Sequence, residues 1–402
     1  MAGADLTTID AILKDVYVGT INEQLNNEVV LLRLFEKKPA PFSGRKVVLA
    51  LHVARNSGVG ARGENGTLPT ATNQVYIDAV VNTAYNYGQY RLTGQSIAMS
   101  KTSEGAFARA MREEATRLVN DFRKNVNRQF YGDGSGTIAT LTNSPASSAS
   151  ITFDASKYVF PGQVVDVIHA GAPVSGGTGL TISSVTKAGA PYGPNVTNAA
   201  VLSGAITATA GDTVVISGSY NQEVIGLKSA IIDNTSSYLS VSPSSYPAWE
   251  SVLVGDSSLS NINETTLQFG ADSCEDLTSM RPETFITTRG VRRAMFRYLQ
   301  SLRRFGPFSQ GQNQELAGDE FEFDGQKVIV DTDCTLNTLF GLHTPSWGVY
   351  QTEQPNWQDD DGTVVHRSLD GTDSVYANFR WYSQIATTER AANFAYQNIT
   401  EG

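Results

Sequence analysis

With 402 residues, 40% hydrophobic and 17% charged, the chain is long enough for two or three domains, and a net charge of -10 argues against gripping nucleic acid by counterion release. No window reaches the roughly 18 uninterrupted apolar residues of a membrane span. Residues 1–15 place Asp5, Asp10 and Lys14 where a secretory signal would be basic and then apolar, so residence in a cytoplasm is expected.

Residues 7–36 are predicted as one or two helices. Ile9, Ile12, Leu13, Val16 and Ile21 form a stripe, residues 29–34 are densely apolar, and Pro39 and Pro41 end the helix. Such an arm needs a surface to lie on. Residues 45–55 alternate, with Val47, Leu49, Leu51 and Val53 on one face. Residues 73–89 alternate again, with Val75, Ile77, Ala79 and Val81 together and Tyr85 and Tyr87 following. The stretch between them holds Gly58, Gly60, Gly63 and Gly66 and almost no large apolar residue. Residues 45–95 therefore read as a long two-stranded hairpin reaching away from the body. Isolated hairpins are marginal in water, so a long one implies a partner surface. Tyr85, Tyr87 and Tyr90 read as one face of the strand root packed on the body, in preference to a base-stacking platform.

Residues 103–130 carry the strongest helical signal. Phe107, Met111, Leu118, Phe122, Val126 and Phe130 share one stripe, and Ser103 stands where a cap belongs. Acid loads the first half at Glu104, Glu113 and Glu114, and base the last turns at Arg123, Lys124 and Arg128. Gly132, Gly134 and Gly136 stop the rod, which is roughly 40 Å long. Residues 137–150 are polar and small. Residues 151–219 are strand-rich and broken by Gly and Pro, which predicts an all-β module of roughly five to seven strands leaning on its host. Helices are expected around Trp249 and Leu253 and over 263–277, a strand over 283–287, and an arginine-rich helix over 289–304. A hairpin turned at Asp324–Gly325 follows, then strands at 338–342, 348–351, 363–365 and 376–390. The class is α+β.

Chemistry is sparse. His52, His169, His343 and His366 fall at no metal-ligand spacing, and there is no nucleophile elbow, P-loop or CxxC pair. Gly132, Gly134 and Gly136 follow a helix, whereas a dinucleotide fingerprint follows a strand. The acidic run at 359–361 lacks the spaced ligands of a calcium loop and reads as a solvated turn. Cys274 and Cys334 read as small buried hydrophobes. No catalytic, cofactor-binding or metal residue is named, no cofactor is expected, and an enzyme is disfavoured. Arg289, Arg292, Arg293, Arg297, Arg303 and Arg304 could bind phosphate, but they read as going all round their helix and pairing with acidic neighbouring subunits in preference to nucleic-acid contact.

The order of arm, extended hairpin, long helix with a Gly break, β/α region and closing strands resembles the major capsid protein of tailed bacteriophages, the Hong Kong 97 type. EGAFARAMREEATRLVNDFRKNVNRQFYGDGSG resembles that family's spine helix, RPETFITTRGVRRAMFRYL its axial strand and helix, and FDGQKVIVDTDCTLNTLFGL its hairpin and following strand. The resemblance implies an α+β Hong Kong 97-like fold with an inserted all-β module. Its parts would be an N-terminal arm (1–44), an extended loop (45–98), a peripheral domain with the spine helix (99–149), the inserted module (150–220), an axial domain (221–345) and C-terminal strands returning to the peripheral domain (346–402). It implies self-assembly into hexamers and pentamers of an icosahedral head around double-stranded DNA, held by confinement only. Implied partners are copies of itself, a portal, a separate scaffolding protein or none, and a decoration protein; implied locations are the virion and, during assembly, the host bacterial cytoplasm.

Some members of that family link subunits through a lysine of the extended loop. No lysine lies between Lys46 and Lys101 here, so no such linkage is expected. The hairpin begins about 45 residues after Met1, so no long N-terminal scaffold segment is expected either. Arg55, Arg62 and Glu64 at the hairpin tip, with Arg292, Arg293 and Arg297, are the candidates for inter-subunit contacts. Each exposed pair is worth at most roughly 1 kcal/mol, multiplied by repetition. A bacterial nanocompartment shell of encapsulin type, or a β-rich adhesin or tail component that binds carbohydrate, remain the alternatives.

Overall fold

The computed structural model describes residues 29–36, 39–41, 46–100, 104–154, 157–186, 198–302, 322–359, 363–368 and 371–401. The arm stripe over 7–28, the side chains of Phe107 and Met111, Arg303 and Arg304, and Asp360 and Asp361 of the acidic turn lie outside what is described.

The arm enters as helix α1 (Val30–Glu36) and strand β1 (Pro39–Pro41). Leu31, Leu32 and Phe35 are buried, and Phe35 stacks on Trp347 at 5.2 Å. This part of the arm is thus clamped to its own body. The hairpin is β2 (Lys46–Ala54) with β3 (Val75–Asn82), paired from Lys46↔Asn82 to Ala54↔Val75. The second arm was expected to run on to Gln89, but it breaks at Thr83. There β4 (Ala84–Thr93) turns into a different sheet. Ala84 and Asn86 face inward, and Asn86 accepts a hydrogen bond from Gln129 at 2.9 Å, so burial against the long helix outweighs continuation of the ribbon. Tyr85 and Tyr87 correct their prediction. They stand 58% and 63% exposed on the outer face of β4, their ring contacts being with Tyr382.

A short helix α2 (Gly94–Ser100) leads into the 28-residue helix α3 (Glu104–Tyr131). Phe122, Val126 and Phe130 are buried along its stripe. The chain leaves α3 through Gly134 and Gly136, both at positive φ (87° and 81°), a conformation that glycine adopts without steric cost.

The inserted module begins earlier than expected, at β5 (Thr137–Thr140), because Ile138 and Ala139 are buried in it. It continues through β6 (Ser148–Phe153), β7 (Val164–His169), β8 (Ala172–Pro173), β9 (Leu180–Thr186), β10 (Asn198–Ile206) and β11 (Thr213–Ile216). The strand order is β5-β11-β7-β9-β10-β6, with β8 on β7. A bridge between Leu141 and Phe153 joins the two ends, so the sheet closes on itself as a barrel that leaves no long edge unpaired. Ile151, Phe153, Val165, Val167, Ile182 and Val214 fill a core separate from that of the body. The module was expected to lean on its host for want of aromatic residues; closure and small β-branched side chains give it a core of its own.

Trp249 sits in a single 3-10 turn (Pro247–Trp249) and Leu253 on β12 (Val252–Val254), not on helices. Then come α4 (Glu264–Thr278), capped by Asn263 and ended by Ser279 at φ 59°, β13 (Thr284–Thr287) and α5 (Arg289–Leu302). Strands β14 (Glu322–Phe323) and β15 (Gln326–Val330) meet at Asp324 and Gly325, whose φ values of 52° and 72° fit the expected tight turn. After β16 (Leu339–Leu342) the chain makes β17 (Trp347–Gln351), β18 (Asn356–Trp357), β19 (His366–Arg367), the long β20 (Ser374–Thr387) and β21 (Phe394–Tyr396). Residues 363–365 form no strand.

Two further sheets result. One runs β1-β17-β20-β18, with β19 and β4 also on β20; β4 and β20 pair from Ala84↔Ser383 to Thr93↔Ser374. Helix α3 covers one face of it, with Phe122 edge-on to Phe379 at 4.9 Å. The other runs β12-β21-β16-β13-β15-β14. Its Phe285 and Phe394 share a core with α4 and α5, while Ile286 and Phe340 face the main core. The last strand, β21, belongs to this mixed sheet, so the C-terminal segment divides between two sheets.

Candidate assembly surface

The inner face of the β2–β3 ribbon, through Val47, Leu49, Leu51, Ile77 and Val81, packs on the body core. The outer face leaves Val48 and Tyr76 54% and 67% exposed. Beyond the last paired residues, side chains carry the ribbon on. Gln74 Oε1 accepts from the Asn56 amide at 3.1 Å, Thr72 Oγ1 accepts from the Ser57 amide at 2.8 Å, and Thr72 donates to Asn56 Oδ1 at 2.6 Å. The root of the tip is thereby organised by its own side chains. Farther out, Val59 and Leu68 stand 86% and 81% exposed.

Arg55, Arg62 and Glu64 are all exposed on this tip. Arg62 folds back to donate to the carbonyls of Thr67 (2.9 Å) and Ala61 (3.0 Å). None of the three makes an ion pair among the described residues. Arg292, Arg293 and Arg297 lie on α5, far from the tip in the chain, and the structure does not bring the two groups into one site. Their distribution corrects the reading from sequence. Arg289, Arg293 and Arg297 are exposed and Arg292 half-buried, opposite the buried Val291, Ala294 and Met295, so the described arginines occupy one face.

A buried polar junction ties four segments of the body together. Asp331 and Asp333 follow β15 and are 0% and 4% exposed. Asn127 of α3 donates to both, at 3.1 and 2.8 Å. Tyr131 donates to Asp331 at 2.9 Å, and the Leu31 amide of the arm reaches the same oxygen at 3.4 Å. Lys124 pairs with Asp333 at 2.8 Å, and from the barrel Tyr158 donates to it at 3.0 Å. Burial lowers the Lys157 ammonium, which lies 3.7 Å from Asp333, and raises the Tyr131 and Tyr158 hydroxyls. A cavity of about 310 Å³ opens beside this junction, lined by Arg128, Lys157, Arg293, Asp333 and Glu401 among others. Arg390 is a second buried hub. Its guanidinium donates to the carbonyls of Ala230 (2.6 Å), Asp233 (2.8 Å) and Ser236 (3.2 Å), and burial lowers it to about 10.

Neither hub is among the residues that the sequence singles out. The Asp-Thr-Asp triplet directly after a strand was the available signal at the first, and nothing in the sequence marks Arg390. Among the described residues no cluster of His, Cys, Asp and Glu could hold a metal ion, and no helix is long and apolar enough to cross a membrane.

A scan of protein-family models and a search of curated proteins give no match. Solved structures do match over the full chain. The capsid asymmetric unit of cyanophage A-1(L) is 12% identical, with a TM-score of 0.64 over 99% of both chains. The capsid of a native GTA particle is 9% identical, with a TM-score of 0.50 over 99% of both. A holo-SrpI encapsulin complex from Synechococcus elongatus is 8% identical, with a TM-score of 0.48 over 99% of this chain and 96% of that one.

Proposed function

We propose that this chain, which has the Hong Kong 97-like fold of tailed-phage capsid proteins, is a non-enzymatic shell subunit. One observation carries the reading: a ribbon of two strands ends in a tip, residues 55–74, that lies outside every sheet and exposes Val59 and Leu68. Apolar surface held out in water is favourable only when something covers it. A neighbouring copy is the cover that a repeating shell supplies, and it ties stability to subunit concentration.

In this reading α3 and the long sheet form a peripheral domain, and the mixed sheet with α4 and α5 an axial one. The ribbon is the extended loop, and the barrel is an insertion at the end of the spine helix. Hexamers and pentamers would build an icosahedral head that confines double-stranded DNA, in keeping with a net charge of -10. A portal, a separate scaffolding protein and a decoration protein complete the partners, with assembly in a host bacterial cytoplasm and residence in the virion.

Negative-stain microscopy of the purified chain, expressed with and without its scaffolding protein, tests this. Closed shells or flat capsomer sheets are expected. A discrete small oligomer with affinity for sugars would replace the shell reading with an adhesin, and shells loaded with a host enzyme would point to a nanocompartment.

A further inference from the structure

Consecutive helices of the mixed sheet carry equal and opposite charge. Helix α4 has Glu264, Asp272, Glu275 and Asp276 and no base; α5 has Arg289, Arg292, Arg293 and Arg297 and no acid. They lie on the same face of the sheet. Leu267, Ala271 and Cys274 of α4 share one core with Val291 and Met295 of α5. The outside of this layer therefore has an acidic half and a basic half.

Both halves face outward. On α4, Thr265, Phe269, Asp272 and Asp276 follow at steps of four, three and four and are all exposed, Phe269 to 63%. On α5, Arg289, Arg293 and Arg297 follow at steps of four and are exposed. Among the described residues, the acid of α4 is only partly neutralised. One guanidinium, Arg281, serves Asp272 (3.2 Å), Glu275 (2.6 Å) and Asp324 (2.6 Å), so three negative charges share one positive.

We infer that this helical layer is an interaction surface for a second copy of the chain. The acidic stripe of α4 and the Phe269 ring lie against the arginine row of α5 in the neighbour. Carboxylates pair with guanidinium groups there, and a guanidinium covers the exposed ring. Like halves repel, so the layer also selects the register in which copies meet. A nucleic acid would find the arginines but would also meet the acids of α4 beside them, which favours a protein copy as the occupant. The inference rests on the shell reading and names one of its contacts.

Charge reversal tests it. By light scattering at low salt, Arg297→Glu and Asp276→Lys should each raise the critical concentration for assembly about tenfold. The chain carrying both substitutions should return to within about threefold of the parent. A combined variant worse than either single one, or single variants that assemble like the parent, would overturn the pairing. So would Arg297→Glu shells that form normally but fail to retain DNA, since that outcome gives the row to nucleic acid. Melting of each unassembled chain separates folding from contact; if a reversal lowers it, Arg297→Gln and Asp276→Asn serve, each expected to weaken assembly about threefold. A parent chain that forms no shell, yet pairs with itself in a way that both reversals weaken and their combination restores, would sink the shell reading and spare this contact.

Discussion

The side-chain amide of Asn127 lies 2.8 Å from the carboxylate of Asp333, 206 positions later in the chain. One residue of the long helix thereby meets the loop that follows the mixed sheet, and the same loop holds the barrel through Tyr158 and the arm through Leu31. Charge and hydrogen bonds thus join parts that also share the apolar core of Leu31, Phe35, Val126 and Phe130. A buried network of this kind is favourable only while every member keeps its partners.

Asp333→Ala should therefore destabilise the unassembled chain by about 2–4 kcal/mol, because it removes the buried carboxylate that Lys124, the Asn127 amide and the Tyr158 hydroxyl share. Urea unfolding at pH 7 measures this. A loss below about 1 kcal/mol would mean that the junction is wet and weak.

Gly341 on β16 lies under the Phe394 ring, and a methyl group there would run into the ring edge. Gly341→Ala should cost about 1–3 kcal/mol by overpacking. A melting temperature equal to that of the parent would refute the close approach.

Asp133 anchors the exit from α3 to Lys228 at 2.7 Å. Burial alone would raise its carboxyl, but the Lys228 ammonium and the Ser135 hydroxyl and amide outweigh burial and bring it from 3.8 to about 2. A carboxyl lower in the folded than in the unfolded state stabilises above the unfolded value, and that contribution disappears as pH falls through the folded one. Asp133→Asn should thus cost about 1–2 kcal/mol at pH 7, given the half-exposed lysine, and nothing once pH falls below about 2. Chemical denaturation of parent and variant across that range reads the gap; a gap independent of pH would contradict the pairing.

Removing residues 58–70 and closing the gap with two glycines should leave the unassembled body within about 0.5 kcal/mol of the parent, since the tip is exposed, and should abolish shells. A deletion variant that still assembles would remove the tip from the contact.

No lysine lies between Lys46 and Lys101, so boiled shells should run as one monomer band on a denaturing gel. A ladder would disprove the absence of a covalent linkage.

Period was the legible part of this sequence. The stripe through Phe122, Val126 and Phe130, the alternation of Val47, Leu49 and Leu51, and the Asp324–Gly325 turn each depend on residues a few positions apart, and each stands where it was expected. The closed barrel was half legible. Its strands alternate visibly, but closure depends on Leu141 meeting Phe153 and on the order in which strands pair. The arginines of α5 were misjudged because a helical wheel drawn without knowledge of the buried face cannot say which arc is left over.

The sequence alone determined the long helix, the start of the β2–β3 ribbon and the Asp324–Gly325 turn, because short-range periodicity is a property of neighbouring residues. The tertiary structure alone decided that β4 leaves the ribbon for β20, that Arg390 is buried among carbonyls, and that Asp331 and Asp333 are junction groups. Those outcomes depend on which surfaces meet across hundreds of residues. A buried charge is tolerable only where distant partners converge on it, and no local pattern records that convergence.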